Sequence, residues 1–246
     1  MAYSKPTSST NKLAVVTRAD ANIKRMTDIT HPFLTEYAKQ CGADFFILDQ
    51  PPEQDVIEGG KHLPHYRIMK LYDILADYER VLSIDSDILI NNGCPNIFDV
   101  VPETHIGYVV EDVGTRRGKR IKLIQQIQKA WGNVGWEHGY MNGGVLVVSK
   151  GHRNIFTSHQ GKFWMGWASV QTHINYLIYK HKYPVFHLPF QWNHMTMFSE
   201  KWNKRADRFD SYIIHYAGSG GFEVKKRINQ IEIDAKKIRS LGNAQK

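Results

Sequence analysis

Short apolar runs alternate along this chain with stretches whose apolar residues recur every three or four positions. The runs are "LAVVT" (13–17), "FFIL" (45–48), "VLSI" (81–84), "IGYVV" (106–110), "VLVV" (145–148) and "SYIIHY" (211–216). Runs of this length, bounded by polar residues, are what buried strands of a parallel sheet require. Between them the spacing predicts helices. One starts at Thr30 as N-cap, carries Pro32 in its first turn and continues through Phe33, Leu34, Tyr37 and Ala38 to Gly42. A second covers "HYRIMKLYDILADYE" (65–79), with Ile68, Leu71, Tyr72, Leu75 and Tyr78 on one face and Arg67 and Lys70 on another. A third covers "VQTHINYLIYK" (170–180). Towards the C-terminus "RINQIEIDAKKIRSL" sets Ile228, Ile231, Ala235 and Ile238 at helical spacing among Arg and Lys. This predicts a basic amphipathic helix that packs back onto the domain or lies on an anionic membrane surface.

Strands alternating with helices predict an α/β fold with a mostly parallel central sheet flanked by helices. Ligands of such sheets sit outside the carboxyl ends of the strands. A chain of 246 residues can bury one substantial core, and no Pro/Gly/Ser-rich linker or internal repeat divides it. The expected layout is a polar, disordered segment over residues 1–11, one domain over 12–222, and the basic helix over 223–246. The N-terminal residues lack the apolar core of a signal peptide, and no apolar run is long enough to span a bilayer. Cys41 and Cys94 are the only cysteines. Two are too few for a disulfide framework, which makes the reducing cytoplasm the simplest location. The formal charge of +8 suits an anionic partner: a polyanion, a phosphorylated small molecule or an anionic membrane.

The candidate chemistry centres on "VLSIDSDILI" (81–90), where Asp85 and Asp87 stand one residue apart between two apolar runs. Carboxylates flanked in this way lose hydration, which costs several kcal/mol unless a cation or donors replace the water. The resolutions are a solvated strand-end turn, a shared proton, or a hard divalent ion bound by both, with the small Ser86 letting the chain turn between them. Thr17 and His215 fall at the ends of other predicted strands. His215 therefore reads either as a partly buried structural histidine or as a third ligand to the same ion.

In order and spacing these segments resemble the glycosyltransferases of the GT-A (Rossmann-like) fold. "YERVLSIDSDILI" looks like their Asp-X-Asp strand, and "HYRIMKLYDIL" like the preceding helix whose basic residues reach the donor. "GYMNGGVLVVSK" (139–150) is similar to their Asn-X-Gly segment, a turn leading into a strand, and "VQTHIN" to the Gln-containing helix start. "PFQWNHM" (189–195) followed by "IIHYAG" (213–218) looks like the late Asn and His-X-X-Gly of the glycogenin-like and galactosyl/mannosyl/xylosyl α-transferase families. The resemblance covers about residues 12–222. It implies transfer of a sugar from a UDP- or GDP-sugar to a hydroxyl on a glycan, protein or lipid, with a divalent ion, manganese first and magnesium second. Carried over by residue, it makes Asp85, Asp87 and His215 the metal ligands, with Asp85 and Ser86 also at the nucleotide. Thr17 would lie under the nucleoside, and Arg67 and Lys70 near the phosphates or sugar. Asn142, Gly143 and Gly144 would line the sugar, Gly218 would belong to the nucleotide-sugar site, and Gln171 with Asn142 would stand at the reacting centre.

Two positions depart from the pattern. Where the glycogenin-like enzymes have Lys-Pro-Trp, this chain has Gly221, Phe222 and Glu223, which leaves Lys225 or Lys226 for the diphosphate. Val170 and Thr172 replace the usual acidic neighbours of the glutamine. The matching motifs belong to families that retain anomeric configuration. Glu111 and Asp112 are the only acidic pair available as the base that inversion would need. Alternatives from other classes are a metal-dependent nucleotidyltransferase and a non-catalytic nucleic-acid- or glycan-binding protein. Nucleic acid is not the expected partner, since the 12 Tyr and 6 Trp lie scattered in apolar runs without a recognition module.

Overall fold

A computed structural model describes residues 10–50, 64–218 and 224–243, without the side chains of Val224, Lys225 and Asn243. The predicted N-terminal disorder therefore falls mainly on residues outside the description. Asn11, inside that predicted segment, is tied down by donating from Nδ2 to Asp44 Oδ1 at 2.8 Å.

The strands of the central sheet are β1 (Leu13–Arg18), β2 (Asp44–Leu48), β3 (Arg80–Ile84), β5 (Ile106–Val110), β6 (Met141–Ser149) and β7 (Val185–His187). Their spatial order is β2-β1-β3-β6-β5-β7. All run in one direction except β6, which is antiparallel to both β3 and β5. The sheet is thus mostly parallel, as the alternation predicts. The buried run in β6 carries no mark of its reversed direction, because a strand covered on both faces reads the same either way. A separate two-stranded sheet pairs β4 (Ile88–Ile90) antiparallel with β8 (Ile213–His215). The segment "SYIIHY" is therefore a strand, but one outside the central sheet.

The α-helices are α1 (Lys24–Gln40), α2 (Leu71–Asp77), the single turn α3 (Ile97–Val100), α4 (Arg117–Trp131), α5 (Ser169–Lys180) and α6 (Val224–Asn243), with short 3-10 segments between elements. α1 starts six residues before the predicted cap and holds Pro32 in its interior. An interior proline removes one backbone hydrogen bond, so tertiary contacts must carry that end of the helix. Met26 is buried against α6 residues, and Thr30, far from capping, donates from Oγ1 to Ser86 O at 2.7 Å. The second predicted helix is α-helical only in its latter half. Residues Pro64–Lys70 form tighter 3-10 turns, which turn Arg67 inward.

α6 spends its apolar stripe on packing. Ile231, Ala235 and Ile238 are buried with Met26 of α1 and with Leu89, Ile214 and Tyr216. Asp234 fastens the helix, accepting from Arg208 at 2.7 and 2.9 Å and from the Tyr216 hydroxyl at 2.6 Å. The face that membrane contact would use is thus covered. No helix of the described residues is long and apolar enough to cross a membrane. Cys41 and Cys94 are buried free thiols.

His173 in α5 staples the loop before that helix. Its Nε2 donates to Thr157 O at 2.7 Å and its Nδ1 accepts from Trp164 N at 3.3 Å. That pattern needs the neutral ring, and burial pushes the pKa down to about 4. An unfolded imidazole titrates near 6.5. As pH falls from 7 towards 4 the unfolded chain gains a proton at this position that the folded one refuses, so His173 by itself should remove about 3 kcal/mol of stability over that range. Urea unfolding across that range checks this. His173→Gln should be less stable at pH 7 but show a visibly shallower pH dependence, and an unchanged slope would refute it.

Candidate active site

The site lies where β1 and β3 end and the antiparallel β6 begins in the central sheet, beside the start of β4 and the end of β8. Asp85 follows β3, and its N–H donates to Gly144 O at 2.9 Å, extending the β3–β6 pairing by one residue. The chain then turns at Ser86 and re-enters at β4, where Ile88 pairs with His215. Tyr216 N donates to Asp87 O at 3.0 Å. This second sheet explains how a histidine 128 positions further along the chain reaches the Asp-Ser-Asp turn. His215 Nε2 lies 3.2 Å from Asp87 Oδ1 and 3.6 Å from Asp85 Oδ2. Taken together, one ligand atom from each of the three residues falls within 4.8 Å of the others.

The donor set fits a divalent ion. Two carboxylates and one imidazole suit manganese or magnesium, and the imidazole is already oriented for the task. Asn193, within "PFQWNHM", accepts at Oδ1 from His215 Nδ1 at 2.8 Å, while its Nδ2 donates to Asn142 Oδ1 at 2.9 Å. With its hydrogen on Nδ1, the ring directs Nε2 at the carboxylates. Gly144 supplies the room: a Cβ there would meet the His215 ring at 2.2 Å. The resemblance places this glycine against the sugar, but the space of its missing side chain is filled by the imidazole.

In this structure the charges of the cluster are answered by protein cations. Arg18 pairs with Asp85 and donates to Ser83 Oγ at 2.9 Å, and Arg227 of α6 lies 3.2 Å from Asp87 Oδ2. Burial disfavours the Asp87 carboxylate, but His215 and then Arg227 outweigh it and hold its pKa below the usual range. For His215 burial likewise opposes the charge. Asp87, then Asp85 and Glu111, outweigh it and raise the pKa above that of a free imidazole.

Beside the cluster, a buried carboxylate organises the amides. Glu111, at the end of β5, is 1% exposed. Its Oε1 accepts from Arg116 at 2.8 Å and from Arg120 Nε at 2.9 Å. Its Oε2 accepts from Asn142 Nδ2 at 2.8 Å and Gln171 Nε2 at 2.9 Å. Gln171 Oε1 in turn accepts from Gly143 N at 3.0 Å. Burial raises the Glu111 pKa, but Arg120 and Arg116 more than reverse this, so the carboxyl is held below its ordinary value. Asp112 accepts from the backbone N–H groups of Gly139 and Tyr140 at 2.9 and 3.0 Å. One hydrogen-bonded chain thus runs from Arg120 through Glu111, Asn142, Asn193 and His215 to Asp87 and Arg227.

Of the predicted residues, Thr17, Ser86 and Asn142 serve this frame and do not face a ligand. Thr17 is fully buried and its hydroxyl is 2.9 Å from Ser86 Oγ, which itself donates to Arg18 O at 2.6 Å. Both positions therefore shape the turn that presents the two aspartates and are not open to a nucleoside. Asn142 and Gly143 belong to strand β6, not to a turn, and both lone pairs of Asn142 Oδ1 are taken, by Asn193 and by Gly144 N at 2.9 Å. Arg67 is 9% exposed, donating from Nη1 to Asp20 Oδ2 and from Nε to Gln50 O, each at 3.0 Å. The Arg67 hydrogen bond, helped by Asn22 N, lowers the Asp20 pKa. Lys70 is half-buried at the end of the same 3-10 segment. Gly218 takes a left-handed φ of +60° directly after His215-Tyr216-Ala217. Residues 219–223 and the Lys225 side chain lie outside the described residues. The sequence reading missed Arg18, Asp20, Arg120 and Arg227, and took Glu111 for a possible base.

Residues 8–220 match the family of glycosyl transferase family 8. The chain belongs to that family and is a glycosyltransferase. Its fold is shared with a glycosyltransferase involved in the glycosylation of the major capsid of PBCV-1 (TM-score 0.58, 15% identity, 90% of this chain and 98% of that one). It is shared also with the bifunctional glycosyltransferase WbbM (0.61, 15%, 88% and 48%) and with the galactosyltransferase LgtC in complex with donor and acceptor sugar analogs (0.57, 15%, 91% and 95%). At these identities the likeness establishes the GT-A fold alone. No curated protein matches the chain in sequence. The nucleotidyltransferase and non-catalytic binding readings give way to a glycosyltransferase.

Proposed function

We propose that this protein transfers a sugar from a UDP- or GDP-sugar to a hydroxyl group on a glycan, protein or lipid, with a divalent ion, manganese before magnesium, and with retention of anomeric configuration. The observation that carries this reading is the Asp85–Asp87–His215 cluster, with His215 oriented by Asn193 and a pinned Gln171 amide beside it. An ion bound there supplies Lewis-acid stabilisation to the leaving diphosphate. The chain's own part is to hold and orient. Arg18 and Arg227 answer the carboxylates in this structure, and with Asp85, Asp87 and His215 holding an ion both guanidinium groups would be free to reach the phosphates. Arg227 takes the place that the absent Lys-Pro-Trp leaves open: its Nε is buried without a hydrogen-bond partner among the described residues. Arg67 and Asp20 sit on the β1 side for the nucleoside and its ribose, and Gly143 with Gln171 on the β6 side for the sugar. In this reading residues 12–222 form the catalytic unit, residues 223–246 brace it, and the two free cysteines suit a cytoplasmic setting.

A thermal-shift screen of nucleotide sugars with and without manganese tests the reading. A ligand at 100 times its Kd stabilises the folded state by about 2.7 kcal/mol. For a chain of this size that is a rise of about 5–10 °C in Tm. The expected result is such a rise for one donor, only with the metal. No rise for any UDP- or GDP-sugar in either condition would sink the proposal.

A further inference from the structure

Trp167 presents an indole ring that the donor site does not use. It is 63% exposed, an unfavourable setting for the largest apolar side chain unless something covers it in function. Its position is built. The Arg120 guanidinium carbon lies 4.7 Å from the ring centre, and Arg120 is itself held by Glu111 and lies 5.3 Å from the Tyr140 ring centre. The segment before Trp167 is anchored by Trp164 against Trp131 and by Phe163 against Tyr66 and His173. Ala168 then takes a left-handed φ of +53°, which a non-glycine residue adopts at a cost and which turns the chain sharply between Trp167 and α5. Four residues after the exposed ring stands Gln171.

The sheet order says which partner meets this ring. Arg67 and Asp20 lie by β1, the metal cluster at the end of β3, Gly143 on β6, and Glu111 with Arg120 at the end of β5 and on α4. If the nucleotide covers the β1–β3 side and its sugar lies at β6, as proposed above, the side towards β5 and Trp167 remains for the acceptor. We infer that Trp167 is the stacking platform of the acceptor subsite and that the acceptor is a saccharide. A pyranose offers a face of carbon-bound hydrogens to an aromatic ring and hydroxyls around its edge. Here a single flat, exposed ring lies against the Arg120 guanidinium, and a ring with a hydrogen-bond donor at its side matches those two features together. The inference rests on the donor placement proposed above.

Binding to an immobilised glycan array in the presence of manganese with UDP or GDP tests it, using the wild type, Trp167→Ala and Trp167→Tyr. Wild type should select glycans that share a terminal sugar. Trp167→Ala should lose about tenfold in their affinity, the scale of a lost aromatic contact, whereas Trp167→Tyr, which keeps a ring, should stay within about threefold of wild type. Affinity for the nucleoside diphosphate, measured by calorimetry, should be equal in all three. Wild-type binding to no glycan, or equal glycan binding by Trp167→Ala, overturns the inference, as does a parallel loss of nucleotide affinity, which would assign the ring to the donor. Should Trp167→Ala fail to fold, saturation-transfer NMR on wild type decides. One C–H face of the selected sugar should receive most of the saturation, and uniform saturation overturns the platform. Failure of the donor reading shows separately, as absence of nucleotide binding by wild type.

Discussion

Asp87→Asn should abolish metal-dependent donor binding while leaving a folded protein. The substitution keeps volume and leaves the backbone bond from Tyr216 N to Asp87 O in place. It removes the charge that faces both His215 Nε2 and Arg227, each at 3.2 Å. His215 then loses the strongest of the charges that favour its protonated form, and Arg227, 17% exposed, can turn towards solvent. The stability cost should therefore be modest, about 1–3 kcal/mol. The cost in metal affinity should be far larger. Losing a residue that merely orients a ligand costs roughly 10–100-fold, so losing a ligand should cost on the order of 100-fold or more. Asn193→Ala provides the internal standard. All three ligands remain and only the partner of His215 Nδ1 is lost, so its deficit should fall within that 10–100-fold range. Calorimetry of manganese and nucleotide binding measures both. Equal donor affinity in chelator and in manganese would remove the metal from the proposal.

How far the site was readable before the structure depended on the range over which each feature is encoded. Asp85, Ser86 and Asp87 announce themselves because their flanking apolar runs are local, and His215 does so through its strand. Glu111 did not, because its meaning is set by partners at different distances along the chain: Arg116 and Arg120 nearby, Asn142 and Gln171 on β6 and α5. Periodicity reports that a residue is buried, not what it is buried against. The same limit hid Arg18 and Arg227, whose carboxylate partners lie in the turn between β3 and β4. Thr17 and Ser86 fell in the right places for the wrong reason, since a polar residue at a strand end can either face a ligand or satisfy a neighbour. Pro32 misled in a different way. A proline early in a predicted helix usually marks its first turn, and here the contacts of Met26 and Thr30 carry the helix past it.

Gln171→Ala should lower kcat by about 100- to 1000-fold, corresponding to roughly 2.7–4 kcal/mol of transition-state stabilisation, with donor affinity changed by no more than about threefold. Inversion needs a carboxylate base with a lone pair free for the acceptor hydroxyl. Glu111 is instead committed to two guanidinium groups and two amides, with its pKa held low, and Asp112 to two backbone N–H groups. What Glu111 does is fix an amide. Its Oε2 holds Gln171 Nε2 and Gly143 N holds Gln171 Oε1, so the side-chain carbonyl has one orientation and one lone pair to spare. A neutral carbonyl held in that way stabilises positive charge growing at the anomeric carbon without forming a lasting bond, and the stabilisation is felt mainly in the transition state. Glu111→Gln follows from the same geometry. Its amide cannot accept at every contact that the carboxylate serves, and turning an NH2 towards Asn142 and Gln171 sets donor against donor. It should therefore reproduce much of the kcat loss of Gln171→Ala, again with donor affinity near wild type. A merely structural Glu111 would lower Tm and leave kcat per folded molecule unchanged. The stereochemistry is read by proton NMR of the first-formed product from an α-linked donor. An α-linked product is expected. A β-linked product, or activity lost in Asp112→Asn with metal and donor binding intact, would overturn retention.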